Sequence, residues 1–219
     1  MKFVLTSAGI TNKSIAKAVV DVVGLPKEQI KMAFVPTAAD RYDGDKGWLI
    51  QNLQECKEQG YAQVDVVPMA AIPVDETLRR LEESHVIFFG GGSEYRLLRV
   101  LHDTGLYKEL PRLLETRLYL GLSAGAMIVG HFVPKDVSNW LYVDDQIPEE
   151  YEEPYGWVDC IFFPHLNGSD FTNLRKENIE SLRGMYDHPI YALDDQSALK
   201  VVDGKMEVIT EGEYVKIGA

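Results

Sequence analysis

Cysteine is scarce in this chain. Cys56 and Cys160 are the only two among 219 residues, too few for a disulfide framework, and neither has a second Cys or a His at metal-ligand spacing. Basic residues are also in short supply: 22 Lys+Arg stand against 34 Asp+Glu, a formal net charge of −12. That balance argues against nucleic acid as a partner, because phosphate binding needs a basic face. No apolar run approaches the roughly 18 residues of a membrane helix. The start, Met1-Lys2-Phe3-Val4-Leu5-Thr6-Ser7, has one lysine and an apolar run that stops at once, which is not the pattern of a signal peptide. Internal repeats and low-complexity linkers are lacking as well. What is present, 46% hydrophobic and 26% charged residues, is the make-up of a globular chain able to bury one substantial core. The expectation is a single domain over residues 1–219, in a reducing cytoplasm, with a small or peptide-like partner. The sequence leaves the oligomeric state open.

The acidity is uneven. Between Val133 and Cys160 eight acidic residues stand against Lys135 alone, so this stretch carries −7 of the −12. It also holds Trp140, Tyr142, Tyr151, Tyr155 and Trp157, which sets it apart from a disordered acidic tail.

Short apolar runs alternate with helical periodicity, the signature of a mainly parallel sheet flanked by helices. Strands are expected at Phe3–Leu5, Met32–Val35, Val64–Val67, Val86–Phe89, Leu118–Gly121, Ile161–Phe163 and Ile190–Leu193. Helices are expected over Ser14–Val23, Lys46–Gln59, Glu76–Ser84, Tyr95–His102, Tyr107–Thr116 and about Thr172–Tyr186. The C-terminus changes period: Ala198–Val202 and Met206–Thr210 flank Asp203-Gly204, a hairpin signal.

Ligands of such sheets bind beyond the carboxyl ends of the strands, and three of those ends carry reactive chemistry. Gly121-Leu122-Ser123-Ala124-Gly125 is G-x-S-x-G between an apolar strand and a small-residue helix start, the pattern of a nucleophile elbow. The N–H of Ala124 would then face a developing oxyanion. Gly90-Gly91-Gly92 follows Val86–Phe89 and lets backbone approach a ligand as a second oxyanion donor. A phosphate cradle is disfavoured there, because Ser93-Glu94 follows instead of the Lys-Ser/Thr of a P-loop. Among the five histidines, His85 and His102 look like helix-side residues, His131 lies just past the elbow, and His188 precedes a strand. His165, after Ile161–Phe163 and Pro164, is the one at a carboxyl edge and is the candidate base for Ser123. An acid should fix its tautomer. Asp194-Asp195 end a strand at the same edge, and Asp136 competes with them.

Together these residues resemble the aspartyl dipeptidase (peptidase E) and cyanophycinase family of serine peptidases. The resemblance rests on Phe88–Gly92, Gly121–Ala126, Phe163-Pro164-His165 and Ala192–Asp195, in that order along the chain. It implies an α/β fold akin to class I glutamine amidotransferases: three layers, a flavodoxin-like, mainly parallel sheet, here with a C-terminal β-hairpin. It also implies a triad in the order Ser, His, acid, with the acid on Asp195. In the aspartyl dipeptidases an arginine after the histidine binds the substrate's acidic side chain, and Arg175 occupies a similar place. A guanidinium recognises a carboxylate bidentately. The chain departs from the family after the glycines, where Ser93-Glu94 replaces Asn-Thr. Glu94 would repel an acidic side chain but hold a free α-amine, with Gly92 beside it.

The implied activity is removal of the N-terminal residue from a short peptide through an acyl-enzyme. Ser123 is the nucleophile, His165 the base, Asp195 the orienting acid, and Gly91 and Ala124 the oxyanion donors. No metal or cofactor is called for. The rivals are an α/β-hydrolase-like esterase using Ser123, Asp159 or Asp170, and His188, and a non-catalytic scaffold that binds a ligand. An amidotransferase would need cysteine where Ser123 stands. On this reading the Val133–Cys160 stretch joins nucleophile to base and is a candidate lid.

Overall fold

The computed structural model describes residues 1–143 and 147–218. Asp144 and Asp145, two of the carboxylates counted above, lie outside the described residues. Among the described residues ten strands form two sheets. In the larger, β1 (Lys2–Thr6), β2 (Lys31–Val35), β3 (Gln63–Val66), β4 (Val86–Phe89) and β5 (Leu118–Leu122) are parallel, and β8 (Ser197–Val202) and β9 (Lys205–Thr210) add an antiparallel hairpin. The order is β3-β2-β4-β5-β1-β8-β9. The smaller sheet runs β10-β7-β6, with β6 (Ile161–Phe163) parallel to β7 (Ile190–Leu193) and β10 (Tyr214–Ile217) antiparallel to it.

β4 and β5, at the centre, are buried at every position because both faces are covered. Side chains alternate across the pleat, and two apolar clusters result. Val4, Phe34, Phe88 and Leu120 point to one side, where Ile15 and Val19 of α1 (Lys13–Val23) and Cys56 of α2 (Gly47–Glu58) cover them. Leu5, Val35, Phe89 and Tyr119 point to the other. There they meet Leu81 of α3 (Val74–Glu82), Leu97, Leu98 and Leu101 of α4 (Glu94–Asp103), and the apolar residues of the smaller sheet. The expected mostly parallel α/β architecture is thus observed.

Three expectations change. The helix expected over Tyr107–Thr116 is a 3-10 turn at Leu106–Lys108 followed by α5 (Leu110–Leu113). Pro111 stands in the first turn of α5 and has no N–H to continue a helix from the residues before it. The helix expected over Thr172–Tyr186 shrinks to α8 (Lys176–Glu180), because Arg175 is held extended at φ −112°, ψ 150°. The hairpin turn at Asp203-Gly204 is present with both residues at positive φ, but the chain then leaves it. Residues 214–217 cross over to complete the smaller sheet as β10, whose four residues alternate exposed and buried in a run too short to stand out in the sequence. Among the described residues no helix is long and apolar enough to cross a membrane.

Candidate active site

β5 ends in a sharp turn at Ser123, whose backbone sits at φ 49°, ψ −110° before the short helix α6 (Ala124–Met127). Such a conformation is costly for a residue with a Cβ and persists only where its surroundings enforce it. Here they do. The Ser123 N–H donates to the Thr6 carbonyl at 2.9 Å, and the Ser123 carbonyl accepts from Ala126 and Met127 N–H at 2.8 and 2.9 Å. The flanking glycines are needed for room: a Cβ on Gly121 would lie 2.6 Å from the Gly125 carbonyl oxygen, and one on Gly125 would lie 2.2 Å from that of Phe89. The buried Tyr119 hydroxyl donates to the Gly125 carbonyl at 2.5 Å and braces the turn from below.

The loop after β4 lies directly against this elbow. A Cβ on Gly91 would come within 2.5 Å of the Leu122 side chain and 3.5 Å of the Ser123 Cβ. Gly92 has φ 128°, and a Cβ there would overlap the Ala38 carbonyl at 2.3 Å. Ser93 then caps α4, its hydroxyl accepting from the Arg96 N–H at 3.3 Å. Ala124, as the first residue of α6, has no carbonyl one turn back within its helix to receive its N–H.

Two residues beyond β6, His165 has a left-handed backbone at φ 64°. Its Nε2 stands 3.0 Å from Ser123 Oγ, and its Nδ1 stands 2.7 Å from an Asp195 carboxylate oxygen. A carboxylate can only accept, so Nδ1 carries the proton and Nε2 is left to accept from the serine hydroxyl. The imidazole is mostly covered, at 15% side-chain exposure, whereas Asp195 is 48% exposed. Phe171 stacks on the ring at 4.5 Å between centroids, with the planes 7° apart.

A model of peptidase family S51 matches residues 3–209. The chain belongs to peptidase family S51. A 51-residue segment is 43% identical to peptidase E of Streptomyces coelicolor, a match spanning 23% of this chain and 21% of that relative. Two solved structures share the fold. One, a protein of Listeria monocytogenes EGD-e named for peptidase E, aligns over 96% of this chain and 98% of its own at TM-score 0.73 and 21% identity. The other, a peptidase from an acI-B1 Actinobacterium, aligns over 99% and 96% at TM-score 0.64 and 19% identity.

In this S51 chain the adjacent acids part company. Asp195 faces the imidazole. Asp194 accepts from Gln196 N–H, Ser197 Oγ and Glu213 N–H at 3.0, 2.5 and 2.6 Å, and so ties the end of β7 to the approach of β10. Asp136, the competing acid, lies in the first turn of α7 (Lys135–Leu141). Its charge acts on Tyr186, whose phenol burial, with Asp136 second, raises in pKa.

The esterase set of S51-unlike order does not assemble around Ser123. His188 pairs instead with Asp159 at 2.6 Å. Both residues precede the parallel strands β7 and β6, so they sit at the amino ends, opposite His165 and Asp195. Asp170 accepts from the Ser169 hydroxyl at 3.0 Å. His85 accepts from the Lys31 N–H, and His102 stacks on Tyr107.

Arg175 is part-buried and its Nη1 donates to the Gly168, Phe171 and Leu174 carbonyls at 3.1, 3.0 and 3.2 Å. One end of the guanidinium therefore shapes the loop that carries Phe171 over the imidazole. Glu94 is buried in the first turn of α4, immediately after the Gly90–Gly92 loop.

The acidic stretch packs rather than trails. Its end runs beside the exit of α6, with Tyr155, Gly156 and Val158 N–H donating to the Ile128, Gly130 and Val129 carbonyls. Tyr151 meets Tyr95 edge to face, and Tyr142 meets Phe171 at 5.9 Å between ring centroids. Glu150 and Glu152 share a cavity with Arg41, Arg96 and Arg99.

Sequence reasoning missed Ser7 and Phe171. Ser7 is fully buried just past β1; its hydroxyl accepts the His165 backbone N–H at 3.2 Å and donates to the Leu193 carbonyl at 2.7 Å. Its place at the carboxyl end of β1 was the available signal. Phe171 has none, because its role depends on how the loop after His165 folds back.

Proposed function

We propose that this chain hydrolyses short peptides, releasing the N-terminal residue through an acyl-enzyme on Ser123. The observation that carries this reading is the continuous hydrogen-bonded chain Ser123 Oγ–His165 Nε2 and His165 Nδ1–Asp195. His165 takes the hydroxyl proton as Ser123 Oγ attacks the scissile carbonyl, and the negative charge passes to the carbonyl oxygen. The N–H groups of Gly91 and Ala124 stabilise that oxyanion. Asp195 holds the tautomer and balances the imidazolium. The imidazolium then protonates the leaving amine, and a water activated by the same imidazole hydrolyses the ester.

Glu94 and Gly92 line the amino-terminal side of the substrate, and Arg175 is the group for an acidic P1 side chain. The three carbonyls that anchor Arg175 Nη1 leave Nε and Nη2 to meet such a carboxylate, with the fork already oriented. The acidic stretch is a cover whose Tyr142–Phe171 contact reaches the imidazole.

The test is a panel of Asp-X and neutral X-X dipeptides with wild type, Ser123→Ala and Arg175→Ala. Turnover lost in Ser123→Ala supports the triad reading, and an Asp-X preference lost in Arg175→Ala supports acidic P1 selection. Equal rates on both classes would remove Arg175 from the substrate site. Failure of folded wild type to react with a fluorophosphonate at Ser123 would leave a ligand-binding scaffold instead.

A further inference from the structure

At the amino ends of β6 and β7, opposite His165, three metal-ligating side chains converge. His131 stands four residues past α6, Asp159 precedes β6 and His188 precedes β7. Their ligand atoms all lie within 4.8 Å of one another. Asp159 Oδ1 is 2.6 Å from His188 Nδ1 and 3.6 Å from His131 Nε2. We propose that His131, Asp159 and His188 form a binding site for a divalent transition metal ion such as zinc, which straps the amino ends of the smaller sheet to the chain leaving the nucleophile helix.

Donor type and spacing both favour this class. Two imidazoles and one carboxylate suit zinc, nickel or copper, whereas calcium and magnesium want oxygen donors. Bonds of about 2.0–2.1 Å in a tetrahedron put donor atoms about 3.4 Å apart, and the two observed separations lie either side of that. The three residues are carried on backbone already cross-linked: His131 N–H donates to the Cys160 carbonyl at 2.8 Å, and Ile161 N–H to the Pro189 carbonyl at 2.9 Å.

All three side chains are reachable from solvent, at 31%, 73% and 40% exposure. The imidazoles lie stacked at 3.6 Å with planes 10° apart, and parallel rings do not aim their lone pairs at one point. His188, the more exposed of the two, turns on loading. The ion takes the place of its Nδ1–H hydrogen bond to Asp159, and the displaced Nδ1 proton passes through solvent to Nε2. Water completes the coordination.

The test is calorimetric titration of the EDTA-treated full chain with zinc chloride, alongside the visible absorption of added cobalt(II) and thermal melting. One zinc per chain is expected, with tetrahedral cobalt bands and a melting temperature raised by about 5 °C at saturation. His131→Ala, Asp159→Asn and His188→Ala should each weaken zinc binding at least about tenfold. Circular dichroism of each variant without metal checks that it is folded. His165→Ala should bind as wild type does, which separates this site from the His165–Asp195 pair. No uptake by wild type, or equal affinity in the three ligand variants, would overturn the proposal.

Discussion

Ser7 holds His165 by its backbone. The Ser7 hydroxyl accepts from the His165 N–H and donates to the Leu193 carbonyl, which also accepts from the Leu166 N–H at 2.9 Å. One buried hydroxyl thus joins β1 of the larger sheet to the ends of β6 and β7 in the smaller, at the residue whose backbone is at φ 64°.

Removing that hydroxyl leaves a part-buried N–H and a carbonyl without it, at a cost of about 1–3 kcal/mol. Ser7→Ala should therefore lower the unfolding free energy by that amount in urea. Activity should fall through kcat more than KM, because the imidazole rather than the substrate is displaced. An unchanged kcat would mean that other contacts alone position His165.

Asp194 and Asp195 should separate by readout. Asp195→Asn keeps the shape but can donate to Nδ1 and so favours the wrong tautomer; kcat should drop roughly 10³- to 10⁴-fold with little change in stability. Asp194→Asn loses an acceptor for the Glu213 or Gln196 N–H and should mainly destabilise, by about 1–3 kcal/mol. Paired kinetics and denaturant melts distinguish them, and the opposite pattern would exchange their roles.

His165 and His188, each hydrogen-bonded through Nδ1 to a carboxylate, make a similar contrast. His165→Ala should lower kcat/KM by about 10⁴-fold or more, whereas His188→Ala, at the other end of the strands, should stay within about twofold. Loss of turnover in His188→Ala with His165→Ala active would favour the esterase arrangement.

Gly92→Ala should be among the most damaging single changes. It sets a Cβ at φ 128° and 2.3 Å from the Ala38 carbonyl, where backbone must move. A loss of more than about 3 kcal/mol is expected in a thermal or urea melt. A near-neutral effect would show that the loop after β4 can relax.

Burial pushes the Cys56 and Cys160 thiols up to about 12. Neither should react with iodoacetamide at pH 8 until the chain unfolds. In the unfolded chain a thiol loses its proton near pH 9 while the folded one keeps it. The unfolded state then binds fewer protons, so stability is intact below about pH 9 and falls as pH rises toward 12. Melting temperature followed from pH 7 to 11 checks the direction.

Much of this was legible in the chain because it depends on local pattern. Val86–Phe89 and Leu118–Leu122 read as buried strands since a strand covered on both faces needs apolar residues throughout. Gly121-Leu122-Ser123-Ala124-Gly125 read as an elbow since the crowding at Gly125 rejects any side chain. Less was legible where the outcome depends on partners distant in sequence. Thr172–Tyr186 has helical periodicity, yet Arg175 spends its Nη1 on loop carbonyls and only Lys176–Glu180 coils.

By itself the sequence determined the mostly parallel α/β plan and which residue types stand at its strand ends, because burial and turn sterics act over a few neighbouring positions. Tertiary structure decided that Asp195, the acid the family resemblance implied, meets His165 while Asp194 does not, that Ser7 holds the His165 backbone and Phe171 its ring, and that His131, Asp159 and His188 meet at all. Each of those is a contact between segments many residues apart, and a contact at 3 Å is set by how the two sheets pack, which no local pattern records.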